Sequence, residues 1–187
     1  MRSDHLSKIA TRTDHLSDTI AAIATPAGVA AVAIVRISGP DARPVASACF
    51  SFARGDAAHW RAGQMRRGAV VDARTGEKLD DALAVAFWGP RSYTGEDVVE
   101  VHVHGGAGVA AACLQAVLEA GARHAAPGEF TRRAFGNGRM DLAQAEAVAD
   151  LIDAESRLAA RAAAVRLDGA LGRRMRALRD ELLARLV

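Results

Sequence analysis

The chain has 187 residues, half of them apolar, with 24 basic against 22 acidic side chains and a formal net charge of +2. That length and apolar content bury roughly two thirds of the surface on folding, so a core forms without staples and one domain plus an appendage is expected. Only two cysteines are present, Cys49 and Cys113, which excludes a disulfide scaffold and a cysteine-rich zinc site and predicts buried thiols in a reducing, cytoplasmic setting. From residue 132 onward eleven Arg stand against eight acidic residues, a local charge of +3 against −1 upstream. This mild excess permits a nucleic-acid partner without requiring one, because a mixed-charge helix face is usually just solvated.

Residues 1–17 are polar and poor in apolar side chains, and a flexible tail is expected there. The apolar run 20–35 is split by Pro26 and Gly28, which suits two short strands around a Pro-Gly turn rather than a signal peptide, and sixteen residues are short for a membrane span. Residues 41–52 read as a helix, with Ser38 as a start signal and Pro40 tolerated in the first turn. The runs 64–71 and 83–88 flank turn chemistry at 72–77 and predict a hairpin. Residues 97–104 supply a further strand, and the alanine-rich segment 108–120 a helix that Gly121 stops.

Beyond residue 138 proline is absent and helix formers dominate, with Leu171, Met175, Leu178 and Leu182 on one stripe. Such a stripe needs a partner helix, so this region reads as the opening of a helical bundle whose other members lie outside the sequence. The fold class expected is α+β: a mixed α/β domain over 18–138 after the tail at 1–17, followed over 139–187 by the first part of an all-helical domain.

Side chains two apart in a strand share a face, so Glu100, His102 and His104 lie on one side of the 97–104 strand while Val99, Val101 and Val103 face a core on the other. Three readings of the polar face stand at this point. A carboxylate and two imidazoles can converge on a divalent metal ion. The same side chains can hydrogen-bond neighbouring turns, the better reading for His102 taken alone. Alternatively, Glu100 can accept adjacent N–H donors of a flat heterocycle with both oxygens, and the glycines after His104 would let a ligand approach the backbone. The loose dinucleotide fingerprint at 106–111 lacks the acidic strand end about twenty residues on that a ribose contact requires. No phosphate-loop Gly-Lys-Ser/Thr sequence occurs, so GTP or ATP hydrolysis by this chain alone is not expected.

Several blocks taken in order carry a resemblance. Asp18-Thr19-Ile20, Ala24-Thr25-Pro26, Val35-Arg36-Ile37-Ser38-Gly39, Ser92-Tyr93-Thr94-Gly95-Glu96-Asp97, His104-Gly105-Gly106, the run from Ala126-Pro127-Gly128-Glu129-Phe130 to Phe135, and Met140-Asp141-Leu142-Ala143-Gln144 resemble the N-terminal part of the MnmE (TrmE) family of tRNA modification GTPases. Each block is weak alone; their joint order is specific.

The resemblance implies a tetrahydrofolate-binding and homodimerisation module, with 5-formyltetrahydrofolate or a related tetrahydrofolate as ligand and Arg36, Glu100 and Arg139 as its contacts. No catalytic residue and no metal ligand is expected. Arg139 occupies a position that is often lysine in the family; Arg36 has a second reading as a strand-end ion pair, and Arg139 one as an interdomain salt bridge. The full-length family protein adds an inserted GTPase domain using GTP, potassium and magnesium, and acts with an FAD-dependent MnmG-type partner on the wobble uridine of tRNA at carbon 5. That insert and the family's C-terminal Cys motif are missing from this sequence, so whole-family activity is not expected of it. His102 and Val103 depart from the family pattern. A folate-dependent one-carbon transferase of the aminomethyltransferase type is the competing reading, which the Met140–Gln144 block and the helical region disfavour.

Overall fold

The computed structural model describes residues 18–185. They fall into two compact units, one ending at Pro127 and one beginning at Gly128.

The first unit is built on a seven-stranded sheet. Its strands are β1 (Ile20–Ile23), β2 (Val32–Ser38), β3 (Phe50–Phe52), β4 (Met65–Val71), β5 (Lys78–Phe87), β6 (Val98–His104) and β7 (Arg123–His124), in the spatial order β3-β4-β5-β6-β2-β1-β7. Neighbours are antiparallel except β1 and β7, which run parallel. The Pro-Gly turn between β1 and β2 and the β4–β5 hairpin form as the sequence predicts. In the hairpin, Asp72 Oδ1 accepts the backbone N–H groups of Arg74 and Thr75, both at 2.8 Å.

One face of the sheet is covered by helices α1 (Ala42–Cys49) and α2 (Ala107–Glu119). Val35 and Ile37 of β2 and Val99, Val101 and Val103 of β6 pack there with Val45, Leu114 and Val117. Cys49 and Cys113 are free and buried in this core, as expected, and burial pushes both thiols up to about 12.

The helix expected over 41–52 is shorter. It ends at Cys49, and Phe50–Phe52 become a strand beside β4. The aromatic side chains decide this, because Phe50 fills the space over Gly68; a Cβ at residue 68 would lie 2.5 Å from the Phe50 ring. Nor does Ser38 start the helix. It ends β2 buried, while the Asp41 N–H at the helix start donates to Thr19 Oγ1 at 2.8 Å. Strand β7 was not anticipated; it is held by Arg123 Nε donating to Asp18 Oδ2 at 2.7 Å and by the Arg123 N–H donating to the Thr19 carbonyl.

The second unit contains α3 (Glu129–Gly136), α4 (Leu142–Ile152), α5 (Arg157–Leu167) and α6 (Ala170–Ala184). Helix α3 was not read from the sequence. Helix α4 starts with a capping box in which Asp141 accepts the Gln144 N–H and the Gln144 side chain accepts the Asp141 N–H. Ser156 caps α5, and Gly169, at φ +71°, separates α5 from α6. The long run of helix formers is thus cut into three helices. Among the described residues no helix is long and apolar enough to cross a membrane. The tail expected at 1–17 and the Leu171 side chain lie outside the described residues.

Candidate functional site

The sheet's other face carries the polar side chains. Its strands place Arg36 of β2 directly opposite Glu100 of β6, with Ile34 opposite His102. On the far side of β6, Val85 faces Glu100 and Leu83 faces His102. Alternation therefore fixes a row of Arg36, Glu100 and Val85 across three strands, on the face opposite the valines.

Arg36 Nε donates to Glu100 Oε1 at 2.8 Å, and a terminal guanidinium nitrogen lies 2.7 Å from the same oxygen in ion-pair contact. Their side chains are a quarter and a sixth exposed, so the pair is shielded yet reachable. The second oxygen, Oε2, faces His102 Nε2 across 3.8 Å, too far for a hydrogen bond. That nitrogen is buried and makes no hydrogen bond among the described residues.

The segment between β5 and β6 folds over the end of β2. Ser38 Oγ donates to Glu96 Oε2 at 2.6 Å and shares a 2.7 Å hydrogen bond with Thr94 Oγ1. Ser92 Oγ donates to the Glu96 carbonyl and accepts the Gly95 N–H, closing the turn. This clamped loop delivers Tyr93, whose ring centroid lies 5.1 Å from the Arg36 guanidinium carbon. Arg36 thus sits between a carboxylate and an aromatic face. Such an arrangement accepts N–H donors at the carboxylate and a flat ring against the aromatic and apolar surroundings.

His104 is drawn elsewhere. Its backbone N–H donates to Asp80 Oδ2 and its Nδ1 lies 2.8 Å from Asp80 Oδ1. Burial alone would raise the Asp80 carboxyl, but these two contacts outweigh it and hold the group below its ordinary value. Among the described residues no group of three or more His, Cys, Asp or Glu side chains is placed to hold a metal ion. The reading of Glu100, His102 and His104 as one metal centre therefore lacks the convergence it needs. The close approach permitted by Gly105 is also taken from within: a Cβ there would lie 2.2 Å from the Ala30 carbonyl oxygen.

Of the three expected ligand contacts, the fold brings Arg36 and Glu100 together. Arg139 belongs to the second unit, exposed just after α3, with its backbone N–H donating to the Ala134 carbonyl at 2.8 Å. Sequence reasoning gave Tyr93 and Asp80 no role, and read Ser38 as a helix start rather than as part of this site. The clustered Ser, Thr, Gly and acidic residues at 92–97 signalled an ordered turn, but nothing local revealed that this turn is pinned to a strand more than fifty residues earlier.

The model of the family described as "GTP-binding protein TrmE N-terminus" matches residues 19–139, more than half of the chain. The chain is 53% identical over 165 residues to the tRNA modification GTPase MnmE of Nitratidesulfovibrio vulgaris, covering 88% of this chain and 36% of that protein. It is 48% identical over 170 residues to the protein of the same name from Thermus thermophilus, covering 90% and 39%. The Geobacter sulfurreducens protein of that name is 50% identical over 168 residues, covering 90% and 36%. The chain thus spans little more than a third of the length of these relatives. Arg36, Tyr93, Glu100 and Arg139 all lie inside the matched segment, and the chain belongs to the TrmE N-terminal family.

Proposed function

We propose that this chain is a tetrahydrofolate-binding and homodimerising module of a cytoplasmic tRNA modification GTPase, with 5-formyltetrahydrofolate or a close relative as its ligand. The observation that carries the reading is the Arg36–Glu100 pair, set in register on the sheet face opposite the valine core, with Tyr93 against Arg36. Glu100 takes N–H donors of the pterin, Tyr93 borders the flat ring, and Arg36 and Arg139 serve polar or anionic parts of the ligand. Val32, Met65 and Leu83 lie on the same face, each about two fifths to one half exposed, and support pairing with a second copy.

In the whole protein, GTP hydrolysis with potassium and magnesium, the MnmG-type FAD partner and modification of the wobble uridine at carbon 5 belong to the complete assembly. Family membership favours this reading over a stand-alone one-carbon transferase. The apolar stripe of α6 would be covered by helices from the remaining length of the family protein.

Calorimetric titration of the purified chain with 5-formyltetrahydrofolate, with sedimentation of the same samples, tests both halves. Saturable binding is expected, weakened at least tenfold in Arg36→Ala and in Glu100→Ala, because each loses a charge-assisted contact. A folded dimer that binds no folate, with the rest of the family protein added back, overturns the ligand assignment. A folded monomer at tens of micromolar overturns the dimer assignment.

A further inference from the structure

We infer that the β3–β4 end of the first unit is a contact surface for an RNA phosphate backbone, built from arginines mounted on a chain of aromatic rings. The inference rests on the proposed role in tRNA modification and uses none of the residues assigned to the folate site.

From the start of α1 to the end of β4, residues 42–71, five arginines stand against one acidic residue, Asp56, a net +4 within a chain whose total is +2. Asp56 is itself engaged by His59 Nδ1 at 2.9 Å. Arg67 lines a groove with Asp81 and belongs to the other sheet face. The remaining four, Arg43, Arg54, Arg61 and Arg66, form no ion pair with a carboxylate among the described residues. Neither does Arg91, whose backbone N–H donates to the Trp88 carbonyl at 3.1 Å. By contrast, Arg36, Arg123, Arg166, Arg179 and Arg185 each meet a carboxylate. Unpaired charges of one sign repel one another and draw in a polyanion.

The aromatic rings fix where these charges stand. Trp60 is buried, with its ring centroid 5.1 Å from that of Phe52 and 6.1 Å from that of Trp88. Its indole N–H donates to the Gln64 carbonyl, and that of Trp88 to the Trp60 carbonyl, each at 3.0 Å. These bonds pin the 53–64 loop to the sheet, with Arg54 and Arg61 exposed on it. At one end of the chain of rings, the Arg43 guanidinium carbon lies 3.9 Å from the Trp88 centroid. At the other, that of Arg66 lies 5.3 Å from the Phe52 centroid, and the Arg66 guanidinium donates to the Arg54 carbonyl.

A guanidinium stacked on a ring keeps its N–H edge for bidentate contact with a phosphate and has little rotamer freedom left to lose. Arginines spread along such a chain suit a repeating phosphate backbone better than one small anion, which would meet a single guanidinium. An acidic protein offers the same sign of charge; the proposed role in tRNA modification favours RNA.

The test follows fluorescence anisotropy of a labelled tRNA transcript with the 187-residue chain at increasing KCl. It compares wild type with Arg43→Gln, Arg61→Gln, Arg66→Gln and the triple variant, and with Arg157→Gln and Arg161→Gln, exposed arginines of the second unit. Each patch substitution should weaken binding about three- to tenfold and lower the salt slope by about 0.7–0.9, as one lost phosphate contact would. The triple variant should lose at least about thirtyfold, and the second-unit variants should stay within about twofold. Arg43→Lys keeps the charge without the planar fork and should fall between wild type and Arg43→Gln. The Arg61 side chain holds nothing else in place among the described residues, so Arg61→Gln reports on charge even if Arg66→Gln loosens the loop.

No tRNA binding at roughly 50 mM KCl, or equal losses in the second-unit variants, overturns the inference. Polyglutamate that displaces tRNA at equal charge concentration would assign the surface to an acidic protein and overturns it too. Titration of the same variants with 5-formyltetrahydrofolate should match wild type. RNA binding through the patch by a chain that takes up no folate keeps this surface and sinks the folate reading.

Discussion

The two units of the chain bury different kinds of side chain. In the first, the covered sheet face and the helix over it place Val35, Ile37, Val99, Val101, Val103 and Val117 at or near zero exposure. In the second, the buried apolar residues among those described are Ala134, Ala147 and Ala163, while Leu142, Ile152, Leu158, Val165, Met175, Leu178, Leu182 and Leu183 are all more than half exposed. A fully buried large aliphatic side chain contributes about 1.5–3 kcal/mol relative to exposure, and an alanine methyl far less. The first unit therefore carries a core of its own, whereas the second has amphipathic helices whose apolar surface still faces solvent. Helices of eleven to fifteen residues are marginal without tertiary packing, so the stability of α4 to α6 depends on what else covers them.

Hydrogen exchange should show this contrast at its largest. Amides of β2 and β6 sit in the middle of the sheet and should open only with global unfolding, on the order of 5–15 kcal/mol for a domain. Amides of α6 should exchange through local opening at close to zero free energy. Protection in α6 approaching that of β6, in a sample shown to be monomeric, would break the comparison. The same protection appearing only in a dimer would locate the missing cover in the second copy.

Truncation gives the next largest difference. Ile37 is fully buried, and Ile37→Ala should cost about 2–5 kcal/mol in the urea unfolding of the sheet unit. Leu182→Ala removes a side chain of similar size, yet should change stability by less than about 0.5 kcal/mol because more than half of Leu182 is exposed. Comparable losses at both positions would mean that α6 is packed in solution against a further surface.

This contrast was largely legible in the sequence. Strict alternation in Val99-Glu100-Val101-His102-Val103 separates a core face from a polar face, because a strand has no other way to dispose of successive side chains. The stripe of Met175, Leu178 and Leu182 likewise reads as needing cover, and the structure leaves those three exposed. Local pattern could not reveal the consequences of packing between distant segments. Phe50 and Phe52 continue a helical pattern until Gly68, on another strand, offers the space that makes them a strand. Two residues of β7 carry no period at all and exist because β1 has an open edge. At the site, the alternation gave Glu100 its face, but the cross-strand register that sets Arg36 against one of its oxygens is a tertiary fact.

The smallest difference concerns surface charge. Asp150 and Arg166 of the second unit lie 2.7 Å apart with both side chains about half exposed, and such a pair contributes under about 1 kcal/mol. Asp80 in the first unit is only 13% exposed and is held by both the backbone and the imidazole of His104. Its carboxyl is held below the ordinary 3.8 in the folded chain, so its contribution is fully present above that pH and is lost as pH falls through the lower folded value. Asp80→Asn should therefore lower the urea midpoint at pH 6, and the gap to wild type should narrow at pH 3 and below. Asp150→Asn should produce a smaller change at pH 6. A gap for Asp80→Asn that stays constant from pH 6 to pH 3 would show that the loss comes from the aspartate's packing rather than from its charge, and the two units would then differ in burial alone.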